Sequence, residues 1–338
     1  LIMMTLTNLV SVKSFGECEF WLASVKVAAI VVFLFIAGVY VLGLTPGGGG
    51  MHVANLSQNG GFMPNGIVPV LTGAVAATGF YFGAEIVTIA AAETAEPQKA
   101  VAKATNSVIL RVLVFYVGSV LLVACLVPWN STGMSTPYVS ALDAMGVPAA
   151  AQIMNAVVLT AVLSALNSGL YASSRMLFAL TRRGDAPKVL AQVSRNGVPV
   201  YAILVATLFG YGAIVMSYLS PDKVFAFLVN SYGTVAIFVY ILIAISQLRL
   251  RSRLEREAPH LLKVRMWCFP YLTWLAIAGM LSIVVAMGFI PEQRTPLALG
   301  VASLCILLIA YRVRQALRRG MSPEGLLDEL APPKLHKS

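Results

Sequence analysis

Charge is scarce in this 338-residue sequence: Asp, Glu, Lys and Arg together make up 11% of it. A soluble globular protein carries about 25%, so that class is excluded at the outset. Cysteine is sparse as well. Cys18, Cys125, Cys268 and Cys305 stand far apart with no Cys-x-x-Cys pair, which supports neither a disulfide framework nor a zinc site. The three histidines, His52, His260 and His336, all fall in polar segments, so no haem and no histidine proton relay is expected within apolar surroundings. Gly47–Gly50 are not followed by Gly-Lys-Ser/Thr; they form a flexible linker and not a phosphate-binding loop. ATP-driven pumping therefore has no support. No nucleophile–base motif stands out, so the chain is not expected to be an enzyme, and neither a cofactor nor a metal is expected.

Apolar sequence is what the chain has in quantity. Hydrophobic residues make up 58%, and the mean hydropathy is +0.82. Long apolar runs lie at about 20–43, 67–91, 106–127, 149–180, 199–219, 224–247, 268–290 and 296–314, each long enough for a helix to cross a bilayer. Barrel strands would be about 10 residues of alternating pattern, so the fold class is all-α integral membrane. A shorter apolar run, from Leu1 to about Val12, rises only about 18 Å as a helix. No basic region precedes it and no A-x-A-like cleavage site follows, which argues against a signal peptide. It is expected to be the tail of a helix whose beginning is missing.

The formal charge of +10 reflects 24 Lys and Arg against 14 Asp and Glu. In a soluble protein it would point to nucleic acid; here its distribution points elsewhere, and no nucleic-acid partner is expected. Lys26, Arg111 and Arg175 fall within spans, and Lys223 and Arg294 within loops near 220 and 291. All the other basic residues lie in segments beginning near 13, 92, 181, 248 and 312. The positive-inside rule assigns those segments, and with them the C-terminus, to the cytoplasm. Within one of them, Arg249–Arg256 reads as a basic helix extension. A plain cytoplasmic loop explains it, and contact with anionic lipid is the alternative.

Four features within the spans can carry chemistry. Lys26 is an ionisable group in hydrocarbon, a candidate functional residue by default. Measured from a span that begins near residue 20 it lies only about 9 Å from the cytoplasmic end, near enough to snorkel. The segment Gly79-Phe-Tyr-Phe-Gly-Ala-Glu85 sets two glycines around three aromatics and adds a carboxylate. It reads as a broken helix lining a cavity, or as a small-residue packing face. Thr160, Ser164, Asn167, Ser168, Tyr171 and Ser174 form one polar stripe at helical spacing. A stripe of that kind lines a water-filled path or makes interhelical hydrogen bonds. Asn230-Ser-Tyr-Gly233 interrupts another span, either as a second broken helix or as a kink.

At these residues the chain resembles the amino acid–polyamine–organocation superfamily, specifically its bacterial amino acid permeases. The matching words are Glu85-Ile-Val-Thr-Ile-Ala-Ala-Ala-Glu-Thr with Glu96, Pro97 and Lys99, then Ala104-Thr-Asn-Ser107, Leu166-Asn-Ser168, Ser173-Ser-Arg-Met176 and Arg183-Gly-Asp-Ala-Pro187. The resemblance runs from the Ser-Phe-Gly at 14–16 to about Arg314, and it leans toward the branch that takes up γ-aminobutyrate (GABA). It implies a LeuT-like inverted-repeat fold of twelve spans, here lacking its first three helices and most of the fourth. Residues 1–314 would be the transmembrane permease domain, from the end of helix 4 through helix 12, and 315–338 a cytoplasmic tail.

The resemblance also implies roles. Phe80, Tyr81, Phe82, Gly83, Ala84 and Glu85 match the sixth-span break, whose free carbonyls receive a substrate ammonium under an aromatic lid. Ser164, Asn167 and Ser231 are further candidate substrate-binding residues. Lys26 matches the fifth-span lysine that replaces a sodium ion in several relatives and links transport to protons, with Glu85 a second coupling candidate. The implied function is amino acid uptake, GABA first, by proton symport in the bacterial plasma (inner) membrane. The implied partners are a small amino acid, a proton and the lipid bilayer. A permease for an aromatic, cationic or proline-like amino acid is the alternative, as is an inactive truncated fragment.

Overall fold

The computed structural model describes residues 1–319 apart from 46–52, 59, 78–82, 84–85, 87–88, 91–93, 95, 258, 263–265 and 267; at 71, 75–76, 97–98, 106, 221–227, 229–232, 261, 292 and 317–319 it describes the backbone alone. Among the described residues there is no strand. An apolar stretch in lipid must satisfy its backbone hydrogen bonds internally, and a helix does so within one segment. The helices are α1 (Ile2–Val10), α2 (Val12–Val41), α3 (Ile67–Ala77), α4 (Pro97–Arg111), α5 (Gly118–Leu126), α6 (Pro137–Ala144), α7 (Ala150–Arg182), α8 (Val200–Leu219), α9 (Pro221–Glu257), α10 (Tyr271–Phe289) and α11 (Pro291–Arg319). A π-helical stretch, Val112–Val117, joins α4 to α5, a local widening that apolar periodicity does not reveal.

Seven helical stretches among the described residues are long and apolar enough to cross a membrane. They account for every apolar run named above except 67–91, where α3 covers the first part and most of the remainder lies outside the described residues. The expected boundary at 314 falls inside α11, and 320–338 likewise lie outside them.

Two local expectations change. The basic segment beginning near residue 13 is no loop, because α1 and α2 are separated by Ser11 alone. Ser11 is extended, with φ −169° and ψ 162°, and its hydroxyl accepts the Ser14 amide at 3.0 Å. That side chain satisfies one of the unpaired amides at the start of a helix. Lys13 and Glu17 then sit one turn apart at 3.7 Å, a spacing that favours continued helix. Lys26 is therefore 14 residues into α2, about 21 Å along it, and not near its end. The second change concerns Asn230–Gly233: α9 runs unbroken through these residues, so neither a second discontinuous helix nor an interruption of the span is found there.

The chain divides into two compact units. The first holds the described residues of 1–67, 103–174 and 193–204. Its core joins Phe33, Ala37 and Val41 of α2 to Val123, Cys125 and Leu126 of α5 and to Ala141 and Leu142 of α6. The Phe33 and Tyr138 rings meet edge to face at 4.9 Å, the arrangement their quadrupoles prefer. Asn55 donates to the Cys125 carbonyl at 2.8 Å, occupying one of the acceptors that the end of α5 leaves open.

The second unit holds the described residues of 68–102, 175–192 and from 205 onward. Ile237 and Ile241 of α9 pack with Met287 of α10, flanked by Met280, Ile283 and Leu297. At Gly300 α11 approaches α9 closely: a Cβ built there would stand 2.4 Å from Thr234 Cγ2 and 2.8 Å from its Cβ. Small residues allow such approach between helices in lipid, where the hydrophobic effect no longer drives association. Meanwhile Phe209, Tyr218, Leu219, Phe289 and Leu307 are exposed, as lipid-facing side chains of a membrane helix would be. The Arg314 guanidinium donates to the Gly184 carbonyl from Nε at 3.1 Å and Nη2 at 3.0 Å, tying the end of α11 to the turn after α7.

The contact at Gly300 predicts that Gly300→Ala overpacks the α9–α11 crossing and costs about 1–3 kcal/mol. At Gly279, in α10, an added Cβ meets nothing within 4 Å, so Gly279→Ala gains up to about 1 kcal/mol of helix propensity. Thermal unfolding in detergent compares them. A Gly300→Ala melting temperature no lower than that of Gly279→Ala would contradict so close an approach.

Candidate functional site

The polar residues of α1, α2 and α7 meet inside the first unit. Along α2, Phe15, Glu19 and Lys26 recur at intervals of four and seven, which places them on one helical face. Along α7, Ser164, Asn167 and Tyr171 do the same. The faces are apposed in opposite directions: Phe15 stacks on Tyr171 with centroids 4.1 Å apart and planes 8° apart, Glu19 reaches Asn167, and Lys26 reaches Ser164. Partner numbers fall along α7 as they rise along α2, so the two helices run antiparallel here.

Each polar group in this cluster has a specific partner. Lys26 Nζ donates to Ser164 Oγ at 2.6 Å and lies 3.9 Å from Glu19 Oε1. Ser164 Oγ donates in turn to Glu19 Oε1. The other carboxylate oxygen, Oε2, accepts from Asn167 Nδ2 at 3.1 Å. Asn167 Oδ1 accepts from Asn8 Nδ2 at 2.9 Å and from Thr7 Oγ1 at 3.4 Å. Asn8 Nδ2 also reaches the Met4 carbonyl at 2.9 Å. These partners fix the sense of the Asn167 amide, whose nitrogen must face the acceptor-only carboxylate.

Burial gives these bonds their weight. Ser164 and Asn167 are fully buried and Asn8 is nearly so, while the Glu19 and Lys26 side chains retain 21% and 32% exposure. A buried polar group without a partner costs about 1–3 kcal/mol, more if charged. Lys26 therefore does not snorkel to a helix end; its ammonium is held by a hydroxyl and a carboxylate on the packed face of α2. In the polar stripe of α7, Ser164 and Asn167 make interhelical hydrogen bonds, whereas Thr160 and Ser174 donate back to carbonyls of their own helix, Val157 at 2.8 Å and Tyr171 at 2.8 Å.

The other candidate residues are only partly visible. Gly83 has φ +112°, which an α-helix cannot carry and which glycine adopts without steric cost; its carbonyl accepts the Ile86 amide at 3.1 Å. Phe80, Tyr81, Phe82, Ala84 and Glu85 lie outside the described residues, and of Ser231 only the helical backbone is described. Among the described residues no group of three or more His, Cys, Asp or Glu could hold a metal.

Sequence reasoning missed Glu19, Asn8 and Thr7. Glu19 fell on the loop side of a span drawn from residue 20, although it stands seven residues before Lys26, two turns along one face. Asn8 and Thr7 sit in a helix too short to suggest a partner. The usable signal was a carboxylate in helical register with an intramembrane lysine.

The model of the family described as amino acid permease matches residues 1–319. The chain is 50% identical over 313 residues to the gamma-aminobutyric acid permease of Bacillus subtilis, an overlap of 92% of this chain and 67% of that protein. It is 44% identical over 293 residues to the gamma-aminobutyric acid permease of Escherichia coli, covering 86% and 63%. With the aromatic amino acid transport protein AroP of Corynebacterium glutamicum it shares 36% over 327 residues, covering 94% and 70%. The chain thus spans roughly two thirds of the length of these relatives.

Because Asn8 and Asn167 serve one network, their substitutions should not be additive. Asn8→Ala and Asn167→Ala are each expected to destabilise by about 1–3 kcal/mol. A double-mutant cycle read by detergent melting should return a coupling of about 0.5–3 kcal/mol. Additive losses would mean that the amides do not bond to each other.

Proposed function

The chain belongs to the amino acid permease family, and from that premise we propose that it takes up GABA together with a proton across the bacterial inner membrane. Multi-pass insertion follows from its membrane-length helices and its permease relatives. With the basic loops inside, its C-terminus lies in the cytoplasm. GABA as substrate is supported by the identity to two proteins named for it.

The observation that carries the proton is Lys26, a cation held on a polar face about 21 Å into a membrane-length helix. A fixed intramembrane charge is costly and persists where it serves transport. In this reading Lys26 occupies the place of a coupling cation and exchanges its own proton. Glu85 is the second proposed coupling residue and complements charge beside the substrate. Phe80, Tyr81, Phe82, Gly83 and Ala84 form the proposed binding break, whose backbone carbonyls receive the substrate ammonium; the φ of +112° at Gly83 supports a departure from helix there. Ser164, Asn167 and Ser231 are further proposed substrate-binding residues, and within the first unit Ser164 accepts from Lys26. Access alternates by rocking of one helix bundle against another.

The 36% identity to a protein named for aromatic amino acid transport favours a second reading, in which the same frame carries an aromatic substrate. Competition of unlabelled amino acids against labelled GABA separates the two. GABA itself should compete at least tenfold better than phenylalanine or tyrosine, and the reverse order selects the aromatic reading.

Uptake by the full-length gene product in proteoliposomes tests the coupling. Lys26→Ala should lower pH-gradient-driven GABA accumulation at least tenfold and spare GABA–GABA exchange, which needs no net proton movement. Glu85→Gln should lower accumulation as well. Wild-type accumulation by both variants would overturn the assignment.

A further inference from the structure

Lys26, Ser164 and Glu19 form a chain in which the middle group both accepts and donates. The ammonium donates to Ser164 Oγ at 2.6 Å, and the same hydroxyl donates to Glu19 Oε1. We propose that Ser164 is a proton relay between Lys26 and Glu19, and that Glu19, hitherto without a role, is the group with which the lysine trades its proton. The inference rests on the proton-symport reading above and specifies its path.

The transfer is balanced within the three side chains. One N–H bond of the Lys26 ammonium breaks as its proton forms a bond to Ser164 Oγ. The hydroxyl's own proton leaves for Glu19 Oε1. The products are a neutral amine, an intact hydroxyl and a neutral carboxylic acid, with no net change in charge and no other reactant. An ion pair becomes a neutral pair, the form that tolerates a low dielectric better. The direct Lys26–Glu19 separation of 3.9 Å is too long for a hydrogen bond, so the hydroxyl is the available route.

The surroundings favour this path over others. Asn167 Nδ2 on Oε2 leaves Oε1 as the oxygen that faces the hydroxyl. Helix α1 brings no titratable side chain, only Thr5, Thr7 and Asn8 as its polar groups. On α2, Lys13 and Glu17 pair with each other on an exposed surface, and Cys18 neighbours Glu19 in sequence. From α5 the titratable group is Cys125, buried in the apolar core, from the π-helical stretch it is exposed Tyr116, and along α7 they are Tyr171, stacked on Phe15, and buried Arg175, one turn further toward the end of the helix. Lys26 and Glu19 are thus the charged groups that the described residues of this unit bring together on the packed face.

Ser164→Ala removes the relay while changing neither charge nor packing volume appreciably, and Ser164→Thr restores a hydroxyl. Proteoliposomes of the full-length gene product, loaded with a pH-sensitive dye, report proton entry alongside labelled GABA uptake. Ser164→Ala is expected to reduce GABA-dependent proton entry at least tenfold, and at least fivefold more than it reduces GABA–GABA exchange; Ser164→Thr should recover at least half of the proton entry. Glu19→Gln should match Ser164→Ala in proton entry. Wild-type proton entry in Ser164→Ala or in Glu19→Gln would overturn the relay and leave the symport reading intact. Equal loss of exchange and proton entry in Ser164→Ala, unrecovered by Ser164→Thr, would make Ser164 a structural residue and overturn it too. GABA uptake with no proton entry in the wild type would instead overturn symport itself, and the relay with it.

Discussion

A lysine ammonium deep inside an apolar helix must be answered by other polar groups, and much of the first unit is arranged around that demand. Desolvating a charge costs several kcal/mol even after relaxation, and removing one partner of a buried pair leaves the other uncompensated. Glu19 supplies the counter-charge two turns away on the same helix. Ser164 bridges the two, and Asn167 holds the far carboxylate oxygen. Asn8, from a different helix, then holds Asn167. Each of these groups is satisfied only because the next one is present, which is how a polar network inside a membrane fixes one arrangement of helices.

Packing elsewhere follows the same economy of polar groups. Most apolar side chains on α8 and α11 face outward, and the buried cores are small, drawn mainly from α2, α5 and α6 in the first unit and from α9 and α10 in the second. Lipid is as apolar as leucine, so burying leucine there contributes little. Close van der Waals approach, as at Gly300 against Thr234, and specific hydrogen bonds therefore set which helices touch. The site and the fold draw on one set of interactions: Phe15 on Tyr171 aligns α2 with α7, and that alignment puts Glu19 opposite Asn167.

An all-α membrane chain of amino acid permease type was legible in the sequence, because hydrophobic runs of bilayer length admit few alternatives and because the matching words are specific. The runs from 106 to the end of α11 all correspond to membrane-length helices. Candidate residues were legible by type: Lys26 stood out as a charge among apolar neighbours, and Ser164 and Asn167 as a polar stripe at helical spacing. Their partners were not. The α1–α2 boundary was missed because a single extended serine ends one helix and caps the next without any loop composition. At Asn230–Gly233, read as either a second broken helix or a kink, the helix continues without a break, since a glycine and three polar residues cost a helix too little to interrupt it when both flanks are strongly apolar.

The sequence by itself determined that this chain forms helices, that those helices suit a bilayer, and that one of them carries a lysine where a charge is expensive. Periodicity and composition act along the chain, so they reach that far. Which oxygen answers that lysine was decided only by tertiary structure. The answer comes from residues 138 positions away on α7 and from a carboxylate on the wrong side of an expected boundary. Pairing of that kind depends on the register and direction in which two helices pack, and no pattern read along one helix contains it.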